Sequence, residues 1–579
     1  MSRKRIIPGN MSMARVRKQN LLFVDKTRYI ARLENDAMAN ALVFVRPLGF
    51  GKTTFTALLC NYYDLALKER FSENFAGTWI GAHKTPRASS YCCLCLDFSF
   101  VPLRHVDMMR IFTAVLASGL KSFSMAYPDL GLPASKLDPR LYDNPSQMLE
   151  AFLDHFILAS GGRLRLYVII DEYDHLANAA LPGSRKRGGA TAEDCASIRQ
   201  FYATLKKYFG GGPGTPIERI FMTGVALPAL DSSTSGFDIA MDISGRKECA
   251  AMAGLTHGEL SQVIDETVDF SRLHHLDKAG LMEEIDRQLG GYVFARGQAE
   301  GVFNTWMCLD FINDVISSGH LPAFGQGGLI SASAQKLCGL MDLADKQAGD
   351  EISSQIAGRN PISSALPFAL DLNQDGLLDC SQFISLLYRL GFISFVKGSD
   401  PAGAIVEYRC PNETCYQIFV RCLERRCGIK WFRLVSLEDM ASGKADIAPL
   451  LEAAGEILMK SQESGFAAFS DQILRICFNF IVRIDASGML KPCLEADSGD
   501  GSRADLVVMN RNPAGRNFLF ELKYLPKGEC TDDAVAAKLE EGKAQIQEHK
   551  SAPKIAAIPR LDCLVIVFSG ERAVAFEKA

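Results

Sequence analysis

Residues 41–54 read Ala41-Leu-Val-Phe-Val-Arg-Pro-Leu-Gly-Phe-Gly-Lys-Thr-Thr54, and this stretch decides the fold of the N-terminal half. The first five residues are apolar and have the length of a buried strand. A glycine-rich turn with Lys52 and Thr53 follows, and apolar residues then recur at helical spacing. Strand, Gly-Lys-Thr turn and helix together predict a phosphate-binding loop, because the N–H groups at a helix N-terminus attract anions.

The residues of this loop are the predicted ligands of a nucleotide. Lys52 is expected to reach the outer phosphates, and the Thr53 hydroxyl is expected to bind Mg²⁺. Arg46 stands where the usual motif has a glycine, so an ordinary Gly-rich turn is the alternative that the loop alone leaves open. The predicted ATP-binding residues here are Gly49, Gly51, Lys52, Thr53 and Thr54.

Two other predicted strands carry polar residues that suit the same chemistry. The apolar run 165–170 ends in Asp171 and Glu172. A carboxylate beside a phosphate loop can hold Mg²⁺, and a following glutamate can accept a proton from the attacking water. Asp171 is therefore the predicted metal ligand and Glu172 the predicted base, with a surface acidic turn as the alternative. The strand 219–225 carries Thr223, which we expect to sense the γ-phosphate of ATP.

Two strand-like segments near the C-terminus carry a second group of charged residues. Residues 503–509 contain Asp505, and residues 518–524 contain Glu521 and Lys523. Strand alternation places Glu521 and Lys523 on one face, and a hairpin turn brings Asp505 beside them. This set suits Mg²⁺-dependent phosphodiester hydrolysis, with Asp505 and Glu521 as metal ligands and Lys523 orienting the water. A surface ion pair is the alternative for the Glu-x-Lys motif.

Short segments along nearly the whole chain match one known family in order. They resemble an AAA-ATPase-like domain joined to a C-terminal PD-(D/E)XK nuclease-superfamily domain, whose phosphate loop carries two arginines where this chain has Leu48 and Gly49. The segments are Phe23–Thr27, Arg46–Thr53, Ile170–Asp174, Phe221–Val225, Gly254–Thr256, Gly291–Phe294, Phe303–Trp306, Leu386–Ile393 and Pro411–Glu413.

The resemblance implies a fold class and a function. The fold is α/β: a P-loop NTPase core with a parallel sheet, a helical or mixed middle region, and a C-terminal α/β restriction-endonuclease-like domain. The implied function is ATP binding and hydrolysis coupled to Mg²⁺-dependent hydrolysis of DNA. The alternative is a nucleotide-dependent binding or scaffold protein whose nuclease fold is catalytically inactive.

The resemblance also extends to the helices of the nuclease-like region. The family places a Gln-Ile pair on a helix, matched here by Gln545 and Ile546, and the tyrosine that follows it is replaced near Ser551. An early helix of the family carries a glutamate and a Tyr-His pair, of which this chain has only Glu463. The helix of the Gln-Ile pair is predicted to begin after an N-cap at Thr531.

The motifs divide the chain into four predicted segments. Residues 1–250 form an AAA-like P-loop ATPase domain, and 251–330 form a helical lid or winged-helix-like region. Residues 331–450 form a mixed middle segment, and 451–579 form the PD-(D/E)XK nuclease-like domain. Within the middle segment, Asp371–Gln382 has the spacing of a calcium loop but no carboxylate at its last position, so we expect a polar loop before a helix.

Composition narrows the class of protein. The chain has 579 residues, with 63 Lys plus Arg and 67 Asp plus Glu, for a formal net charge of −4. Such a balance excludes a protein whose whole surface coats DNA, but it leaves room for a local DNA contact. The expected partners are ATP and DNA, and a homo-oligomer is compatible with this interpretation.

Apolar runs and cysteines indicate the compartment. No apolar run approaches the ~20 residues of a membrane helix, and no apolar core of a secretory signal follows the basic start Met1–Arg5. We therefore expect no membrane partner. The 17 cysteines are odd in number and scattered, which is typical of reduced thiols. The predicted location is intracellular, in the cytoplasm or the nucleus.

Overall fold

The structure is a computed structural model, and two compact units make up the chain. One unit combines Met1–Gln326 with Ser363–Cys415, and the other combines Gly327–Ile362 with Tyr416–Ala579. Each unit joins segments that are distant in the sequence, so the four-segment division stays a prediction. The structure describes residues 3–6, 13–35, 38–99, 101, 108–175, 192–225, 239–273, 276–322, 328–342, 344, 349, 352, 355–356, 361–365, 378–397, 405–426, 447–463, 474–475, 478, 490–497, 503–510 and 515–579.

The strands and helices are numbered here in chain order. The strands are β1 (Ala41–Val45), β2 (Cys92–Asp97), β3 (Leu166–Asp171), β4 (Ile217–Gly224), β5 (Met241–Asp242), β6 (Ile362–Ala365), β7 (Ser394–Phe395), β8 (Ile405–Arg409), β9 (Leu490–Asp497), β10 (Arg503–Asn510), β11 (Asn517–Leu525), β12 (Leu561–Ser569) and β13 (Arg572–Lys578). The helices are α1 (Met13–Lys18), α2 (Arg28–Leu33), α3 (Lys52–Tyr63), α4 (Phe71–Asn74), α5 (Trp79–Ala82), α6 (Met108–Ala126), α7 (Pro145–Ser160), α8 (Ala192–Lys207), α9 (His257–Thr267), α10 (Lys278–Leu289), α11 (Thr305–Ser318), α12 (Gly328–Met341), α13 (Cys380–Arg389), α14 (Glu413–Arg426), α15 (Ala448–Glu463), α16 (Asp532–Ser551) and α17 (Pro553–Ala556).

A five-stranded parallel sheet of order β2-β3-β4-β1-β5 forms the centre of the first unit. Its strands β1 and β3 are buried along their whole length, which is typical of a parallel sheet covered by helices. Apolar side chains of α6 and α7, including Phe112 and Phe152, pack into the same core as Val168 of β3. This confirms the predicted α/β core with a parallel sheet, and it brings the carboxyl ends of β1, β3 and β4 to one edge.

Helices continue the first unit beyond the sheet, as the sequence predicted for its middle region. Residues of α9, α10 and α11, among them Leu260, Ile285 and Ile312, share one apolar core. Further along, α13 begins with a capping box in which Asp379 and Gln382 bond each other's backbone N–H. Gln382, at the position that lacks a calcium-binding carboxylate, thus helps to cap a helix. Residues 371–377 of the calcium-like loop lie outside the described residues.

A mixed five-stranded sheet of order β13-β12-β11-β10-β9 organises the second unit. Strand β11 pairs antiparallel with β10 and parallel with β12, and the predicted turn between β10 and β11 includes residues 511–514, outside the described part. Helix α16 begins after its predicted N-cap at Thr531 and buries Leu539 and Ile546 against the sheet. At Gly542 the helix approaches the sheet so closely that a Cβ would lie 2.4 Å from Val565 Cγ1.

The cysteines depart from the sequence prediction at one point. Cys60 of α3 and Cys95 of β2 form a disulfide, so the expectation of reduced thiols is wrong for this pair. Their spacing of 35 residues gave no sign of it, because the helix and the strand meet only in the folded sheet. Cys92 and Cys93 of the same strand are buried free thiols.

None of the helices in the described ranges combines the length and the apolar character needed to cross a bilayer.

Candidate functional site

The phosphate loop connects β1 to α3 and depends on two glycines. Gly49 has φ +84° and Gly51, the N-cap of α3, has φ +100°, a region that side chains with a Cβ rarely adopt. A Cβ at Gly49 would also lie 2.6 Å from Asn304 Oδ1. Backbone geometry therefore requires both glycines, and close packing adds a second reason at Gly49.

Residues far along the chain, Gly254 and the segment 304–306, donate hydrogen bonds to carbonyls on the outside of this loop. Asn304 Nδ2 donates to the Leu48 carbonyl at 2.8 Å, and Trp306 N donates to the Gly49 carbonyl at 2.8 Å. The Phe50 carbonyl accepts from Thr305 Oγ1 at 3.0 Å and from the Gly254 amide at 2.8 Å. The hydrogen bonds hold these three loop carbonyls on the outside of the loop, away from the phosphate position. A carbonyl oxygen that faced the phosphate would repel it.

Arg46, which replaces the usual glycine, has a structural role in this fold. Its side chain is 2% exposed, and its Nη1 donates to the Val45 and Ser244 carbonyls at 2.9 Å. The guanidinium lies 4.5 Å from the ring centre of Phe44 and 4.4 Å from that of Phe294. Burial lowers the pKa of Arg46 to about 10, and the side chain does not line the cavity described below.

Four residues predicted for nucleotide chemistry meet at the mouth of the loop. Lys52 Nζ lies 3.7 Å from Glu172 Oε1 and donates to the Arg46 carbonyl at 3.1 Å. The Thr53 side chain interacts with the Asp171 carboxylate and acts to lower its pKa. The fold thus brings Lys52, Thr53, Asp171 and Glu172 together from two segments of the chain.

The two carboxylates of this group share an unusual environment. Burial raises the pKa of Asp171, whereas the Thr53 hydroxyl and Lys52 act in the opposite direction. Burial also raises the pKa of Glu172, again opposed by Lys52. The backbone of Glu172 has φ +52°, and strained conformations of this kind concentrate at functional sites.

The backbone of Thr223 lies beside this group, because Met222, the residue before it, pairs with Ile170 in the sheet. Its hydroxyl is buried without a hydrogen-bond partner among the described residues, and its side chain does not line the cavity at the loop. Its carbonyl accepts from the Tyr173 amide at 3.1 Å. Thr223 therefore ties the strand edge beside Glu172 through its backbone, and its assignment as a γ-phosphate sensor stays a prediction without geometric support.

A cavity of about 410 Å³ opens at the loop, which lies within the size range of small-molecule sites. Its lining combines the loop residues and Glu172 with apolar side chains, Leu22, Val24 and Trp306 among them. All five loop residues predicted to bind ATP line it: Gly49, Gly51, Lys52, Thr53 and Thr54.

A second candidate site lies on β10 and β11 of the other unit. The pair Leu506–Phe520 fixes the antiparallel register, so Asp505 lies one position further, across from Glu521. Asp505 Oδ2 accepts from the Leu522 amide at 2.9 Å, and Lys523 Nζ lies 3.0 Å from Glu521 Oε1. The three predicted residues are thus adjacent, and each is at most 4% exposed.

Helix α16 adds two side chains to this group. Gln545 accepts a hydrogen bond from the Lys523 ammonium, so the matched Gln-Ile pair lies at the site. One helical turn later, His549 Nε2 lies 3.9 Å from Glu521 Oε2. Ser551, near which the sequence predicts the replacement of the family's tyrosine, is exposed. The residue that occupies the site is His549, because residues four apart share a helix face.

Sequence reasoning also missed a cation at the aspartate. Arg475 Nε lies 2.9 Å from Asp505 Oδ1, so this carboxylate is ion-paired. Glu521 Oε2 is buried and makes no hydrogen bond to any of the residues that the structure describes. Burial raises the pKa of Glu521 to about 7, with the charge of Asp505 adding to the shift and Lys523 opposing it.

The two carboxylates fit a magnesium ion with few protein ligands. Within the described part of the chain, the buried Glu521 Oε2 has no hydrogen-bond partner, and Asp505 lies beside it. Among the described residues no group of three or more His, Cys, Asp or Glu side chains forms a metal cage. Mg²⁺ commonly binds through one or two carboxylates and completes its coordination with water and substrate phosphate, so the residues present are sufficient.

Comparison with known proteins identifies both domains. Residues 8–233 match the family model described as predicted AAA-ATPase, and residues 487–578 match that of the PD-(D/E)XK nuclease superfamily. Among solved structures, the chain is similar to the Walker-type ATPase PABY2304 of Pyrococcus abyssi, at 10% identity and a TM-score of 0.34 over 68% of this chain and 94% of that chain. No curated protein matches the chain in sequence. The chain therefore carries an AAA-ATPase-like domain and, C-terminal to it, a PD-(D/E)XK nuclease-superfamily domain.

Proposed function

We propose that the chain is an ATP-hydrolysing enzyme that couples nucleotide turnover to Mg²⁺-dependent cleavage of DNA. The two domains support a nucleotide-dependent activity combined with a nuclease fold. The observation that carries the proposal is the meeting of Lys52, Thr53 and Glu172 at one cavity of about 410 Å³, with Asp171 next to Glu172 in the chain.

At the first site each residue would have a separate role in phosphoryl transfer. Lys52, which donates to the Arg46 and Pro47 carbonyls, would turn to the outer phosphates of ATP. Thr53 and Asp171 would hold Mg²⁺, and Glu172 would accept a proton from the attacking water. The raised pKa of Glu172 suits a base that must first bind and then release a proton.

At the second site the chain presents a buried acidic pair beside a lysine. Asp505 and Glu521 would hold Mg²⁺, and Lys523 would orient the water toward the scissile phosphate. At both sites bound Mg²⁺ would offset the negative charge that develops on the phosphate oxygens. DNA as the substrate and the coupling between the sites belong to the proposal and rest on the two domains being joined in one chain.

A second candidate function is a nucleotide-dependent scaffold with an inactive nuclease fold. The observation that favours it is the ion pair between Arg475 and Asp505, which places a guanidinium at a predicted metal ligand. Lys523 is also engaged, by Glu521 and Gln545. Such a site could hold a protein or nucleic acid through its surface without cleaving it.

The first prediction concerns ATP. Lys52→Ala should weaken ATP binding by roughly 10–100-fold, because it removes charge-assisted hydrogen bonds to phosphate. Glu172→Gln should bind ATP normally but hydrolyse it about 10²–10⁴-fold more slowly. Binding is measured by titration calorimetry with Mg²⁺ present, and turnover by phosphate release.

Lys68→Ala is the matched control for ATP, since Lys68 is exposed and does not line the cavity. This variant should leave the dissociation constant of ATP and the rate of phosphate release unchanged. A wild-type protein that binds no ATP, or a Lys52→Ala variant that binds it equally well, would contradict the ATPase assignment.

The second prediction concerns DNA. With Mg²⁺ and ATP, the purified protein should nick supercoiled plasmid, and Glu521→Ala should slow nicking about 10²-fold or more. Glu540→Ala is the control, because this carboxylate lies on α16 with a 73% exposed side chain. Lys52→Ala should also slow nicking if nucleotide turnover gates cleavage. Equal plasmid binding without nicking by wild type and Glu521→Ala would favour the scaffold.

The third prediction concerns pH. Mg²⁺ binding at the second site requires ionised Glu521, whose pKa in the metal-free protein is raised to about 7 by burial. Affinity should therefore fall about tenfold for each pH unit below 7 and level off above it. Calorimetric titration of Mg²⁺ from pH 6 to 8 measures this slope.

Two variants assign the pH dependence to its source. Asp505, Lys523 and Arg475 also face Glu521 or its neighbour, and His549 lies 3.9 Å away. Glu521→Gln should bind Mg²⁺ weakly and without the slope, whereas His549→Gln should keep the slope. Equal affinity of the wild type at pH 6 and pH 8 would show that Glu521 is not the titrating ligand.

A further inference from the structure

One face of α3 extends from the phosphate loop along the cavity. Thr53, Ala57 and Asn61 are four residues apart and all line the cavity, as residues at this spacing share a helix face. At 1.5 Å per residue, Asn61 lies roughly 12 Å from Thr53 along the helix axis. That span is comparable to the reach of an extended nucleotide from its outer phosphates to its base. The small side chain of Ala57 leaves the intervening space open.

The Asn61 side-chain amide is fixed in one orientation. Its Nδ2 donates to the Ala57 carbonyl at 2.7 Å, and a carbonyl oxygen can only accept, so the bonded atom must be the amide nitrogen. Asn61 is half-buried, and its Oδ1 makes no hydrogen bond to another described residue. The cavity therefore presents a hydrogen-bond acceptor at this point.

The cavity that Asn61 lines suits a flat aromatic ring. Its walls include the apolar side chains Val16, Leu22, Val24, Leu58, Trp306 and Leu309. Such walls bury the faces of a base, while a few polar groups read its edge.

Two other polar side chains that line the cavity, those of Lys26 and Thr305, are already engaged. Lys26 Nζ pairs with Glu259 at 2.6 Å and donates to the Ala251 carbonyl at 2.9 Å. The Thr305 hydroxyl donates to the Phe50 carbonyl at 3.0 Å. Asn61 Oδ1 thus remains as an acceptor beside the apolar walls.

We propose that Asn61 selects the base of the nucleotide by accepting a hydrogen bond from the exocyclic amino group of adenine. This inference rests on the proposed binding of ATP at the loop. Guanine and hypoxanthine carry a carbonyl oxygen at the corresponding ring position. That oxygen would face Asn61 Oδ1, and two buried acceptors without a shared donor are unfavourable.

The test compares ATP with inosine triphosphate, which differs at this ring position and keeps the same sugar and phosphates. Dissociation constants are measured by titration calorimetry with Mg²⁺ for the wild type, Asn61→Leu and Leu309→Met. The wild type should bind ATP about 5–150-fold more tightly than inosine triphosphate, which corresponds to 1–3 kcal/mol for reading one base.

Asn61→Leu should bring the two affinities within about threefold of each other, because the acceptor is gone. Its affinity for inosine triphosphate should not fall, which also shows that the variant is folded. Leu309→Met changes an apolar wall at nearly constant volume and should keep the wild-type ratio.

The outcomes separate this inference from the proposed function. If ATP binding depends on Lys52 but the wild type binds both nucleotides equally, the base-selecting role of Asn61 is overturned and the ATPase proposal stands. A wild-type preference that survives in Asn61→Leu also overturns it, and assigns the choice to another group. If the wild type binds neither nucleotide, both proposals fall together.

Discussion

Three carbonyl oxygens of the phosphate loop accept hydrogen bonds from residues far along the chain. Leu48, Gly49 and Phe50 each have a carbonyl satisfied by the 304–306 segment, and Phe50 has a second donor in Gly254. A loop that binds an anion must turn its N–H groups inward and its carbonyls outward. Satisfying those carbonyls on the outside stabilises this shape before any ligand arrives. The cavity, the positions of Lys52 and Thr53, and the face of α3 all follow from that shape.

At the nuclease-like site, the polar groups that need compensation are two buried carboxylates. Asp505 has Arg475 and a backbone amide, and Glu521 has Lys523, yet one oxygen of Glu521 makes no hydrogen bond to a described residue. Because burying an uncompensated charge is costly, this environment favours protonation of Glu521 and raises its pKa. A divalent cation would supply the missing compensation. The ion pair between Arg475 and Asp505 bears on both candidate functions. A metal ion bound by Asp505 must either coexist with the guanidinium or displace it.

Local sequence was sufficient for the elements that carry the chemistry. The apolar strand before the Gly-Lys-Thr turn predicted the loop, and period-two alternation correctly placed Glu521 and Lys523 together. The order of segments predicted both domains. What the sequence could not supply were contacts between distant segments. Nothing local indicates that Asn304 bonds to Leu48, that Arg475 pairs with Asp505, or that Cys60 meets Cys95.

The side chain of Thr223 shows a second reason why the sequence could not predict the whole site. Thr223 does lie near the end of a strand next to β1, as predicted, but its side chain is buried away from the cavity lining. The residues around it, from Ile220 to Gly224, are all buried, so no alternation reveals which face Thr223 occupies. His549 illustrates the same point on a helix, where a shift of two residues moves a side chain from the site to the solvent.

The central claim is that the 304–306 segment holds the phosphate loop ready for nucleotide. Asn304→Ser tests it most directly. Serine keeps the N-cap acceptor for α11, whose Met307 amide now bonds to Asn304 Oδ1, but it is too short to reach the Leu48 carbonyl. The dissociation constant of Mg²⁺-ATP, measured by titration calorimetry, should rise about 5–10-fold for the loss of one hydrogen bond. An unchanged constant in a folded variant would contradict the claim, because the loop would then keep its shape without this contact.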